Sequence, residues 1–449
     1  MHRMIDWGSI WRVKNFQNES LRQGNENMER VIEVFVEVDG ASHFAGRLWS
    51  RSLKGRESAS FEYDKKWIAS DARFALEPLL TIDTGIHHSQ PGKPLFGAIG
   101  DSAPDRWGRA LMRRAERKNA EREKRTQRTL LEIDYLLHVD DRIRQGALRF
   151  REAGTTEFLA HVTPAIPPLV ELPKLLSASD HVLTDTDTDE DLRLLLAPGS
   201  SLGGARPKAA VVDADDSLAI AKFPAKGDEY HMELWSCVAL ALASKAGINT
   251  PRYRLTTVLD QRLLLVTRFD REGTLRIPFL SAMSMIGADE NQPHSYLDLV
   301  DAIRQHGADV RKDLKELWRR ILFSVLVSNV DDHLRNHGFL YDTGKRGWRL
   351  SPAYDLNPVP VDIKPRILCL MIDDRDNSAS FDLTIEVGDY FGLVEDDMRE
   401  VVTGLVNSIS TWRDEARRIG ISTEEINRMA TAFEHDEMTR AERFLRSVS

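Results

Sequence analysis

The run Ser328-Asn329-Val330-Asp331-Asp332-His333-Leu334-Arg335-Asn336 holds an aspartate and, five residues later, an amide. Leu350-Ser351-Pro352-Ala353-Tyr354-Asp355 then brings another carboxylate. Phosphoryl transfer asks for such a set: one carboxylate to orient a hydroxyl, and an amide with a carboxylate to hold the magnesium ion that bridges nucleotide phosphates. On this reading Asp331 is the catalytic base, Asn336 and Asp355 are the Mg2+ ligands, and the phosphoryl donor is ATP.

A catalytic carboxylate needs a rigid support. Leu314, Leu317, Trp318, Ile321, Leu322, Val325 and Leu326 recur at helical spacing, which predicts a helix over 313–327 that presents the loop. The interval from Asp331 to Asn336 is that of the protein-kinase catalytic loop. It favours Asp331 over Asp332 as the base, with Asp332 left to cap or brace the loop. His333 is placed among the cofactor-binding residues, as a group that orients the loop, although an inert or metal-binding role stays open for it. Strands are expected at Phe339–Tyr341 and Trp348–Leu350, on either side of an Asp342-x-Gly344 turn, so that Asp355 follows a hairpin.

Upstream, Ala219-Ile220-Ala221-Lys222-Phe223 sets a lysine in a short apolar strand. Lysine is rarely kept in apolar surroundings without a partner, and kinases hold one there on the nucleotide phosphates. The segment Gly199-Ser200-Ser201-Leu202-Gly203-Gly204-Ala205-Arg206-Pro207-Lys208 offers adjacent glycines whose N–H groups can approach phosphate oxygens. It departs from the G-x-G-x-x-G pattern. Ser201, Leu202, Gly203, Gly204, Ala205 and Lys208 form the expected cradle. Glu233, with Glu229 as competitor, is the expected partner of Lys222. Val266 and Arg268 are expected to meet adenine through their backbones at the crossing between lobes, with Phe269 packed nearby.

The chain has 449 residues, a net charge of −9 and 42% hydrophobic residues, a composition suited to several domains. The acidic balance argues against nucleic acid as a partner of the whole surface. Arg106 to Arg128 is crowded with Arg and Lys, which suits either a solvated helix face or an acidic partner. Two cysteines, Cys237 and Cys369, exclude a disulfide framework and both lie among apolar neighbours, as buried thiols would. No apolar run reaches about eighteen residues and no signal-like N-terminus is seen, which predicts a cytoplasmic protein with no membrane partner.

Organisation follows the same cues. Residues 1–29 read as an extension and 30–165 as a mixed α/β domain. Within the latter, strands are expected at Val31–Val38 and Phe44–Trp49, and helices at Asp105–Glu123 and Gln127–His138. Residues 166–278 read as a nucleotide-binding lobe, with strands Lys208–Val212, Leu218–Lys222, Tyr253–Val258 and Arg262–Phe269 and a helix near Glu229–Ala246. Residues 279–449 read as a helical catalytic lobe. The fold class expected is α+β, protein-kinase-like and bilobal, with an all-helical C-terminal lobe.

Five ordered motifs resemble the HipA-like serine/threonine kinases, toxins of bacterial type II toxin–antitoxin pairs. They are Ser201 to Lys208, Lys222-Phe223-Pro224, Arg268-Phe269-Asp270-Arg271, Asn329 to Asn336, and Leu350 to Asp355. Outside this core, Phe61-Glu62-Tyr63, Trp67-Ile68 and Gly100 to Arg109 look like the family's N-terminal domain. The resemblance implies Asp331 as base, Asn336 and Asp355 on Mg2+, and Lys222 on the phosphates. It implies inhibitory autophosphorylation at Ser201, with Ser200 as a substitute. It also implies a protein substrate of the aminoacyl-tRNA synthetase kind, and a small helix-turn-helix antitoxin through which operator DNA is reached. Ser236 stands where the family usually shows a glutamate in the lobe's helix, and residues 1–29 match nothing in the family.

Two other readings come from different classes. One is a metal-dependent hydrolase built on Asp331, Asp332, His333 and His337. The other is a pseudokinase scaffold in an antitoxin–DNA complex, although this chain keeps the base and both metal ligands.

Overall fold

The computed structural model describes residues 28–159, 166–196, 204–290 and 292–447. Alternation of Ile32, Val34, Val36 and Val38, all buried, makes β1 (Met28–Val38) a one-sided strand. It turns back through Asp39 and Gly40, both at positive φ (49° and 80°), into β2 (Ala41–Leu53). β3 (Arg56–Tyr63), β4 (Ile86–His88) and β5 (Leu148–Glu152) complete an antiparallel sheet of order β4-β3-β2-β1-β5.

The helix expected at 105–123 spans Arg106–Arg122, and Asp105 caps it by accepting from Gly108 N at 2.8 Å. Its apolar stripe of Trp107, Leu111 and Ala115 shares one core with the helices Leu172–Leu183 and Asp189–Leu196 and with Ala209, Val211, Ala219 and Leu265 of the next sheet. The acidic partner of the basic run lies within this chain: Arg114 and Lys118 reach Asp187 at 2.8 and 2.9 Å, and Arg125 reaches Glu116 at 2.6 Å. The helix expected at 127–138 shrinks to Glu132–Leu137. Buried Glu116 accepts from Arg128 N at 3.0 Å, and Asp134 accepts from Leu131 N at 2.9 Å. These side chains take the amides that a longer helix would use.

β6 (Lys208–Val212), β7 (Leu218–Lys222), β8 (Tyr253–Val258) and β9 (Gln261–Thr267) form a second antiparallel sheet of order β6-β7-β9-β8. All four strands lie where their pattern predicts. The helix Met232–Lys245 packs between this sheet and the helices Glu395–Ile409 and Trp412–Ile419, which is why it is buried almost all round. A small hairpin, β10 (Arg271–Glu272) with β11 (Leu275–Arg276), follows the crossing to the C-terminal lobe.

That lobe is helical except for a three-stranded sheet of β12 (Phe279–Ser281), β13 (Gly338–Asp342) and β14 (Gly347–Leu350). The hairpin is as expected; β12 is too short to carry a readable period. The helix Val310–Leu326 buries the whole predicted stripe from Leu314 to Leu326. Among the described residues, no helix is long and apolar enough to cross a membrane.

The crossing itself is held by charge. Asp270 is buried, accepts from Gly146 N at 2.7 Å and meets Arg271 at 2.9 Å and Arg268 Nε at 2.8 Å. Burial pushes its carboxyl up, but Arg268 and Arg271 outweigh this and hold it well below the usual carboxylate range. A depressed folded value means that this stabilisation is present above the unfolded carboxylate value of about 3.9 and is lost as pH falls below it. Asp270→Asn should therefore cost about 3 kcal/mol in urea unfolding at neutral pH. The difference from wild type should narrow as the pH is lowered through about 4.

Candidate active site

The helix Val310–Leu326 ends at Val327, and Ser328 takes a left-handed conformation (φ 54°) that turns the chain sharply. Asn329 Nδ2 bonds back to Ser324 Oγ at 3.1 Å. The next two carboxylates then part. Asp331 points outward, half exposed, with Lys364 Nζ 3.0 Å and Cys369 Sγ 3.9 Å from Oδ1. Cys369 is exposed, not buried as its apolar neighbours suggest. Asn336 Nδ2 donates to the Asp331 carbonyl at 3.0 Å and closes the loop.

Asp332 points inward. It accepts from Tyr296 Oη at 2.7 Å and from Ser324 Oγ at 3.3 Å, and meets His337 Nε2 at 3.0 Å. Burial raises its carboxyl, but His337 and the Tyr296 hydroxyl bring it below the usual range. Asp332 is a brace under the loop, and Asp331 is the carboxylate left facing outward. His333 follows them in the loop and is half-buried.

Asp355 forms an ion pair with Lys222, which stands at the end of β7. Its backbone is left-handed (φ 55°), a conformation costly for most residues and best tolerated by Asn and Asp. Burial raises its carboxyl, yet Lys222 first, then Lys208 and His333, hold it below the usual range. Two neighbours tie this segment to the Asp331 loop. Tyr354 Oη donates to the Arg335 carbonyl at 2.7 Å, while its ring lies 5.5 Å from that of Phe269. Asn357 donates its N–H to Asn329 Oδ1 at 3.1 Å and its Nδ2 to the Asp355 carbonyl at 3.1 Å. Ser236, at the position where the glutamate was missed, donates to Asn357 Oδ1.

Three expectations need correction. Glu233 pairs with Arg206 at 3.1 Å, Glu229 pairs with Arg428 at 2.6 Å, and Lys222 goes to Asp355 instead. The helix register points Glu233 at Arg206, two residues after Gly204. Arg268 does not offer its N–H to adenine, because that group donates to Leu218 O at 2.9 Å and the guanidinium is buried on Asp270. Val266 sits inside the sheet, between Ile220 and Tyr253, where pairing takes its backbone groups.

Ser200, Ser201, Leu202 and Gly203 lie outside the described residues. Gly204 follows at φ 97°, and its carbonyl accepts from Lys208 Nζ at 3.3 Å and from Trp107 N at 3.4 Å. Ala205 is exposed beside it. Lys208 Nζ meets Asp105 at 2.8 Å, a partner that sequence could reveal only as a helix cap. Lys364, on Asp331, was equally unreadable, since no periodic element surrounds it.

A hydrolytic metal site on Asp331, Asp332, His333 and His337 does not form. Asp332 and His337 are buried against each other, and among the described residues no group of three or more His, Cys, Asp or Glu could hold a metal ion. Magnesium in a nucleotide site needs only one or two protein oxygens, since the phosphates and water supply the rest. Asp355 offers a carboxylate, and Asn336 keeps its carboxamide oxygen out of hydrogen bonds among the described residues. These donors suit the ion. No hydrogen bond joins Asn336 to Asp355 directly; Tyr354 and Asn357 link their loops.

Comparison with known proteins places the fold and the family. A chain from the Shewanella oneidensis MR-1 complex of HipA, HipB and its operator DNA has the same fold, with a TM-score of 0.62 at 16% identity, covering 93% of this chain and 100% of that one. A curated Haemophilus influenzae protein that carries a provisional kinase name is 26% identical over 176 residues, covering 34% of this chain. The chain spans about half the length (50%) of that relative. The α+β fold is thus kinase-like. The model of the HipA-like C-terminal domain matches residues 200–436, more than half of the 449 residues, and the chain belongs to that family.

Proposed function

We propose that this protein is an ATP-dependent serine/threonine protein kinase acting as the toxin of a toxin–antitoxin pair. The observation that carries this reading is the ion pair of Lys222 with Asp355, whose neighbours Tyr354 and Asn357 bond to the loop that turns Asp331 outward. Asp331 accepts the proton of a substrate hydroxyl, with Oδ1 held by Lys364 and the loop closed by Asn336. Asn336 and Asp355 would hold Mg2+, and Lys222 would turn from Asp355 to the phosphates. When bound, Mg·ATP supplies the phosphoryl group and Mg2+ offsets its charge.

The finer assignments belong to the same reading. The division at about 30–165, 166–278 and 279–449 separates an N-terminal domain, a nucleotide lobe and a catalytic lobe. The substrate is a translation component such as an aminoacyl-tRNA synthetase. The Shewanella relative is solved with HipB and operator DNA; by analogy this chain binds a small helix-turn-helix antitoxin and reaches DNA through it, in the cytoplasm. Phosphate on Ser201 or Ser200 would place about two negative charges in the cradle and repel ATP.

Labelled ATP added to a cell lysate tests the base. Asp331→Gln should lower phosphotransfer by about a thousandfold and abolish toxicity while folding normally, whereas Asp332→Ala should lose about 3 kcal/mol of stability. An Asp331→Gln protein as toxic as wild type refutes the assignment. Mg·ATP should raise the Tm of wild type, and Lys222→Ala should lose most of that rise; no rise in either protein speaks against a kinase. Mass spectrometry of the expressed protein should find phosphate on the peptide with Ser200 and Ser201, and phosphate found only elsewhere removes the regulatory proposal.

A further inference from the structure

Lys208 on β6 and Lys222 on β7 stand directly opposite one another in the strand register. Like charges so placed repel, and a buried ammonium without a counter-ion is strongly destabilising. The fold gives the two lysines different counter-ions. Lys222 takes Asp355 from the helical lobe, and Lys208 takes Asp105, which precedes the helix Arg106–Arg122. The second pair is 2.8 Å long with side chains only 5% and 4% exposed.

Asp105 is itself fixed. Its Oδ1 accepts from Gly108 N at 2.8 Å as the helix cap, which leaves Oδ2 for the ammonium. The next turn grips the same place twice more: Trp107 Nε1 donates to the Lys208 carbonyl at 3.0 Å and Trp107 N to the Gly204 carbonyl at 3.4 Å. Lys208 Nζ also donates to the Gly204 carbonyl at 3.3 Å, and a Cβ on Gly204 would come within 3.4 Å of that ammonium. The lysine head is thus wedged between the helix cap and the end of the glycine segment.

We propose that Asp105 is a positioning residue for the nucleotide: it holds the Lys208 ammonium at the end of the glycine segment, so that the phosphates meet two ordered lysines. The inference rests on the kinase reading, and it makes ATP binding depend on a residue far outside the nucleotide lobe in sequence. Without the Asp105 charge, the Lys208 head loses the carboxylate that fixes it at the glycine end.

Asp105→Asn separates this role from capping, because asparagine caps helices as well as aspartate does. The Kd for Mg·ATP, measured by calorimetry, and the KM for ATP should both rise about tenfold, with kcat changed by less than about twofold. Asp105→Glu should recover most of the affinity. Lys208→Ala should match Asp105→Asn, and Asp105→Ala/Lys208→Ala should bind no more weakly than Lys208→Ala alone, since the aspartate acts only through the lysine. The double variant removes both charges and so remains informative if a single variant does not fold. Asp105→Asn with Kd and KM within about twofold of wild type overturns the inference, whatever its Tm, and so does a double variant with additive losses. A wild-type protein that binds no Mg·ATP overturns the kinase reading first and this inference with it.

Discussion

Lys222 leaves the last position of β7 and reaches Asp355, a residue held in a left-handed turn of the other lobe. Each half of this contact is unfavourable alone: a lysine in an apolar strand, and a carboxylate that burial pushes toward protonation. Together they form a charged contact between strand β7 and the helical lobe. The surrounding structure serves to keep that contact in place. Tyr354 and Asn357, on either side of Asp355, bind it to the Asp331 loop, and Ser236 joins the same network from the helix Met232–Lys245.

The same device recurs wherever distant segments must meet. Asp332 is buried under Tyr296 and His337, Asp270 under two arginines, and Asp105 against Lys208. Buried ion pairs add little net stability compared with apolar packing, but a missing partner is costly. They therefore specify which segments come together more than they strengthen the whole. In this chain the specified meetings are the Asp331 loop with its supporting helices, the interlobe crossing with residues 143–146, and Gly204 and Lys208 with the helix Arg106–Arg122. The basic character of that helix belongs to this pattern, since Arg114 and Lys118 are spent on Asp187.

Local pattern was a good guide to elements and a poor one to pairings. The strands β6 to β9 and the helix behind Asp331 lie where side-chain period and turn residues put them, because burial on one face writes itself into the sequence. The helix at 127–138 failed because Glu116, an element away, captured Arg125 and the Arg128 amide. Glu233 failed as the partner of Lys222 because a helix can rotate its glutamate toward Arg206 at no cost that spacing reveals. The adenine contact at Arg268 failed because the strand pairing that makes the sheet had already used its N–H.

What the sequence determined by itself was the chemical inventory and its order along the chain: the glycine segment, then Lys222, Asp331, Asn336 and Asp355. Residue type and short-range spacing suffice for that, since they limit which groups can donate, accept or bind a cation. Only the tertiary structure decided which carboxylate faces outward, which one pairs with Lys222, and that Asp105 stands beside Lys208. Those choices join residues 33, 133 and 103 positions apart, where ion pairing and burial act through space and leave no period in the chain to read.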